Sequence, residues 1–96
     1  MKISWDPSAL EAFGDAMEYI ANDSYSAAIR VASDIDDALN SASRHPLSHP
    51  PDKYRDDGDT AFRVFELHHF RISYRVEPQE LIVVRFRHTS QKPASY

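Results

Sequence analysis

The sequence predicts an α+β domain in which a helical hairpin covers one face of an antiparallel sheet, in the order β-α-α-β-β-β. Three observations carry that reading. First, Phe70, Ile72, Tyr74 and Val76 alternate with Arg71, Ser73, Arg75 and Glu77, and a second apolar run, Leu81 to Phe86, follows closely. A period of two marks a strand with one buried and one solvated face. Second, apolar residues before position 45 recur every three or four residues, the spacing of one helix face. Third, only Asn22-Asp23-Ser24 interrupts that helical pattern. So short a connection makes antiparallel neighbours, and such a pair cannot bury its apolar stripe without a sheet to lie on.

Taken in order, Lys2, Ile3 and Ser4, with Trp5, form a short first strand. Asp6-Pro7 starts a helix, with Asp as cap and Pro at the first helical position. Leu10, Phe13, Met17 and Ile20, with Ala9, Ala16 and Ala21, make its apolar side, and Gly14 is read as a point of close packing. Ser24 caps the second helix, whose stripe is Ala28, Val31, Ala32, Ile35, Leu39 and Ala42. That helix ends near Arg44, because His45 precedes Pro46 and is biased out of the α region. The stretch from His45 to Thr60, with Pro46, Pro50, Pro51 and Gly58, is a long connection that either serves a role or holds a further short strand. Ala61 to Leu67 is the next strand, His68-His69 its turn, and Glu77-Pro78-Gln79-Glu80 the turn before Leu81.

With 96 residues the chain is expected to be one domain spanning 1–96. A domain of this size buries about 60–65% of its extended-chain surface, enough for a single core. Absence of cysteine removes disulfides, thiolate metal sites and cysteine nucleophiles. Met1 to Asp6 has no apolar run of the signal-sequence kind, and no stretch is long enough to span a bilayer, so a cytoplasmic protein is expected. Residues 1–52 carry nine Asp/Glu against three Lys/Arg, and residues 53–96 carry six against eight. The overall charge of −4 argues against a coat for nucleic acid, which needs many Lys/Arg–phosphate contacts.

Parity assigns the two faces. The Phe70, Ile72, Tyr74, Val76 set packs inward, and Ile82, Val84 and Phe86 are expected to join it. Arg71 and Arg75, then Arg85 and Arg87, are left pointing away from the helices as a basic strip, with Arg63 as a further candidate. Cross-strand pairing with Glu66, Glu77 and Glu80 is the bland account of such a strip. Guanidinium forks nevertheless suit phosphate or carboxylate recognition, so RNA or an acidic protein segment is the expected partner class. No metal or other cofactor is expected: Pro46 and Pro50 keep His45 and His49 from sharing a helix face, and His68 and His69 are adjacent.

The ordered set Phe70-Arg71-Ile72-Ser73-Tyr74-Arg75-Val76, then Leu81 to Phe86, then the ending from Arg87 through His88 to Tyr96, resembles the RelE/ParE superfamily of bacterial type II toxins. Tyr19-Ile20-Ala21, Ala27-Ala28, Ile35 to Leu39 and His45-Pro46 extend the resemblance over nearly the whole chain and place it nearer the ParE-like branch. The resemblance implies a toxin neutralised by a cognate antitoxin, a small DNA-binding protein whose C-terminal segment folds on binding and can join a hetero-oligomer. It implies DNA gyrase as the target, or, in the RelE-like alternative, ribosome-bound mRNA; a non-toxic interaction module of the same fold is a third reading. In the nuclease alternative Arg71 matches the strand arginine near the scissile phosphate, His88 an acid or base histidine, and Tyr96 a C-terminal tyrosine, with Lys92 or Arg87 assisting. The lysine-rich second strand of such nucleases is missing, since Phe62 to Leu67 offers only Arg63, and Ser90 stands where a second arginine is expected.

Overall fold

In the computed structural model, which describes residues 1–52 and 61–90, the sheet is built around the strand with the strictest alternation. That strand, Phe70–Val76, is β3; β1 is Lys2–Trp5, β2 is Phe62–Leu67 and β4 is Glu80–His88. Helices α1 (Pro7–Asp23) and α2 (Tyr25–Arg44) fall between β1 and β2, giving the expected order. Across the sheet the strands run β1-β4-β3-β2. β2, β3 and β4 form an antiparallel meander, but β1 runs parallel to β4, so the sheet is mixed rather than wholly antiparallel. The helical hairpin supplies the long crossover that a parallel neighbour requires.

Local chemistry sets the boundaries. Asp6 accepts the Ser8 amide at 3.1 Å and Pro7 opens α1. Ser24 is the whole hinge of the hairpin: its amide donates to the Ile20 carbonyl at 2.8 Å, while its Oγ accepts from the Ala27 amide at 3.2 Å. One residue thus satisfies orphan groups on both helices. The β2–β3 turn carries no Asn-Gly signature; His68 and His69 instead adopt positive φ, 52° and 67°. A two-residue hairpin favours that mirror-image turn because it matches strand twist. Non-glycine residues there cost about 1–2 kcal/mol each. His68 Nε2 lies 2.7 Å from Asp34 Oδ2, which ties the turn to α2.

The core lies between the hairpin and one sheet face. Ala9, Ile35, Leu39, Ala42, Ile72, Tyr74, Leu81 and Val83 are nearly inaccessible, and the rings of Trp5, Phe13, Phe70 and Phe86 pack at one end of it. Three expectations fail in detail. Leu10 is exposed, and Gly14 faces open space, where an added Cβ would touch nothing, so it is no point of close packing. On β4 the inward residues are Leu81, Val83 and Phe86, not Ile82, Val84 and Phe86. A bulge explains the change: Ser73 pairs with Arg85 but Tyr74 pairs with Val83, leaving Val84 as the extra residue. One inserted residue reverses the parity of everything before it relative to everything after.

Candidate functional site

Strand pairing fixes which side chains share the face away from the helices. Arg71, Ser73 and Arg75 alternate with the buried Ile72 and Tyr74, so they occupy that open face. Arg87 is the direct partner of Arg71, and Arg85 of Ser73, so both join them. The bulge therefore moved the apolar half of β4 and left the arginine half in its expected phase. Four guanidinium-bearing positions lie near Ser73 on β3 and β4, and Val64 faces it from β2.

These arginines are half-buried rather than extended into solvent. Arg71 Nη2 lies 3.3 Å from Glu66 Oε1, with only 12% of its side chain exposed. Arg75 pairs with Glu77, and its guanidinium carbon sits 4.9 Å from the centre of the Phe62 ring. Of the three carboxylates in the bland account, Glu66 pairs across the strands with Arg71, Glu77 pairs with Arg75 two residues before it, and Glu80 instead accepts from Ser4. Arg63 is placed elsewhere: as the direct partner of Tyr74 it lies on the helix-side face, where Nη1 donates to the His49 carbonyl at 3.1 Å. Its period-two relation to Phe65 and Leu67 is what carries it there.

The described part of the connection after α2, up to Asp52, is a strap. Tyr74 donates its hydroxyl to the Pro46 carbonyl at 3.1 Å on the helix side, and the His49 ring stacks on Phe65 at 4.9 Å. The chain then passes along the outer edge of β2, where the Val64 amide donates to the Pro50 carbonyl and the Asp52 amide to the Phe62 carbonyl. Pro51 forms a single bridge with Arg63. At Asp52 the strap lies on the open face, where Ser73 Oγ donates to Asp52 Oδ2 at 3.0 Å. Asp52 and Ser73 are 5% and 1% exposed. Burial lowers the His49 pKa below its usual 6.5 and pushes Tyr74 up to about 12, with Arg63 opposing the latter shift. Nothing in the local pattern after Pro50-Pro51 marks Asp52 as a residue that crosses a strand edge.

His88 pairs with Phe70, the neighbour of Arg71, and so lies on the opposite face of the sheet from the arginines. Its ring packs edge-on to Phe70 at 5.5 Å and stacks with His69 at 6.3 Å. Nδ1 accepts from the Ser90 amide at 3.1 Å. The structure brings Arg71, Arg75, Arg85 and Arg87 together and separates His88 from them by the thickness of the sheet. Lys92 and Tyr96 lie outside the described residues. Among the described residues no group of three His, Asp or Glu side chains is placed to hold a metal ion, and no helix is long and apolar enough to cross a membrane.

Fold and strip together define a small sheet-and-hairpin domain with cationic groups arrayed on its uncovered face. A family model described as the ParE toxin of the type II toxin-antitoxin system, parDE, matches residues 3–93. The chain belongs to the ParE toxin family. Among solved structures it is similar to one titled "Chromosomal ParDE TA system from P. aeruginosa", at 16% identity and a TM-score of 0.68, over 92% of this chain and 95% of that one. At that identity the likeness speaks for the fold. No curated protein matches the chain.

Proposed function

We infer that this ParE-family toxin acts by binding rather than by cutting. In this reading a cognate antitoxin with a C-terminal segment that folds on binding silences it in a hetero-oligomer, and DNA gyrase in the cytoplasm is its target. The supporting observation is the division of groups between the two faces: the arginines of the strip share one side, and His88 sits on the other. Ribose 2′-OH attack on a phosphate needs a base, an acid and cations around one phosphorus. Arg71 and His88 on opposite faces do not converge on one.

Purified protein tested against gyrase supercoiling and against ribosome-bound message separates the two chemistries. Supercoiling inhibition without codon-positioned cuts is the expected result. Cleavage that disappears in His88→Ala, with supercoiling untouched, overturns the reading.

A further inference from the structure

We propose that Asp52 is a built-in occupant of the arginine strip, seated where a carboxylate of an acidic partner segment binds, and that the partner segment displaces it. The inference deepens the antitoxin-binding reading and rests on it only for the identity of the natural ligand.

The geometry of Ser73 carries the argument. It is flanked along β3 by Arg71 and Arg75, faces Arg85 directly on β4, and the adjacent cross-strand pair is Arg71–Arg87. Direct cross-strand neighbours have Cβ atoms about 4.5–5.5 Å apart, so arginine positions flank the Ser73 hydroxyl along β3 and on the β4 side, with Val64 facing it from β2. Asp52 delivers a carboxylate to that point, 3.0 Å from Ser73 Oγ and almost sealed from water. A carboxylate leaves water only where donors and cations replace its hydration. The Ser73 hydroxyl and the arginine positions beside it therefore form a site suited to a carboxylate, with Asp52 seated on the hydroxyl. Planar guanidinium groups around a hydroxyl donor fit a carboxylate's two oxygens.

The displacement needs only the end of the strap to move, since Tyr74, Phe65 and Arg63 anchor its earlier part at Pro46 and His49. Its described pairing with the β2 edge consists of two amide bonds on either side of Pro51, and neither Pro50 nor Pro51 has an N–H to add another. Beside it a cleft of about 530 Å³, lined by His49, Pro51, Glu66 and Arg71 among others, opens between strap and strip. An acidic side chain entering there meets Arg71, two positions along β3 from the Ser73 on which Asp52 is seated. Because Asp52 is tethered, its effective concentration is high and a lone external carboxylate competes poorly. A segment with several carboxylates succeeds, so the device selects acidic segments over single anions.

The test uses the full chain, a hexaglutamate peptide and a hexauridylate RNA at low salt, with circular dichroism to verify folding. Asp52→Asn is expected to bind the peptide about tenfold more tightly than wild type, because the tethered competitor loses its charge. Adding Arg85→Glu to that variant is expected to erase the gain. In the wild-type chain, saturating peptide is expected to speed hydrogen exchange at the Asp52 and Val64 amides, a readout that needs no variant to fold. Unchanged peptide affinity in folded Asp52→Asn, unchanged exchange at both amides, or a gain confined to the RNA each overturns the proposal. Failure of the parent reading looks different: peptide responds to Asp52→Asn as expected, yet antitoxin binding ignores reversal of the arginines.

Discussion

The two faces of this sheet are held by different forces. On the helix side, Ile72, Leu81 and Val83 are inaccessible beneath Ile35 and Leu39, and stability there comes from apolar area and close packing. On the open side, Ser73 and Asp52 are almost as inaccessible, yet the positions beside Ser73 on β3 and β4 carry guanidinium groups. Burial alone does not distinguish the faces; the chemistry of what is buried does. An apolar face is complete when covered, whereas a buried carboxylate among arginines can be exchanged for another carboxylate. In the proposed reading, that difference makes the open face, and not the core, the surface for a partner.

Adjacent residues on β3 give the sharpest contrast. Ile72→Ala should cost about 2–5 kcal/mol, read as a fall in urea midpoint with unchanged slope, and the loss should be the same at low and high salt. Ser73→Ala, one position on, removes a hydrogen bond to a charged group and should cost about 1.5–3 kcal/mol at low salt, shrinking as salt rises. Equal salt dependence for the two variants would erase the distinction between faces.

Tyr74 links the core to the strap. Tyr74→Phe should cost about 1 kcal/mol through the lost bond to the Pro46 carbonyl. It should also change the alkaline limb. With the folded pKa raised to about 12 from 10.0, wild-type stability is intact below pH 10 and falls as pH rises towards 12, because the unfolded chain ionises first. The phenylalanine variant should lack that component, measured as melting temperature against pH. A smaller effect of opposite direction comes from His49, whose pKa is lowered by burial. Below pH 6.5 the unfolded chain takes up the proton more readily than the folded one, so stability declines as pH falls through that point. His49→Gln should flatten the decline, and an unaltered acid limb would show that the ring is not desolvated against Phe65.

How much of this was legible in the sequence follows the same division. The helical hairpin was readable from Asp6-Pro7, Ser24 and the Ile35–Leu39–Ala42 stripe, because caps and periodicity are local signals. β3 was readable for the same reason. The face of Ile82 and Val84 was not, since the bulge at Val84 is set by pairing with β3 and leaves no local mark. The direction of β1 was equally hidden, as four residues next to β4 contain nothing that distinguishes parallel from antiparallel pairing. Among site residues, Arg71, Arg75, Arg85 and Arg87 were recoverable by counting in twos. Arg63 was not, because it shares a mixed set with Phe65 and Leu67 whose inward face is settled only by pairing with β3. Asp52 was invisible because its role exists only once the strap reaches Ser73 from another part of the chain.

The direct trial of the arginine strip is the affinity of the chain for its cognate antitoxin with Arg71 and Arg85 both changed to Glu. Loss of about 100-fold or more in affinity, with a chain still folded by circular dichroism, is the expected result. A folded double variant that binds antitoxin as tightly as wild type would contradict the account, and would mean that the guanidinium groups serve the sheet and not a partner.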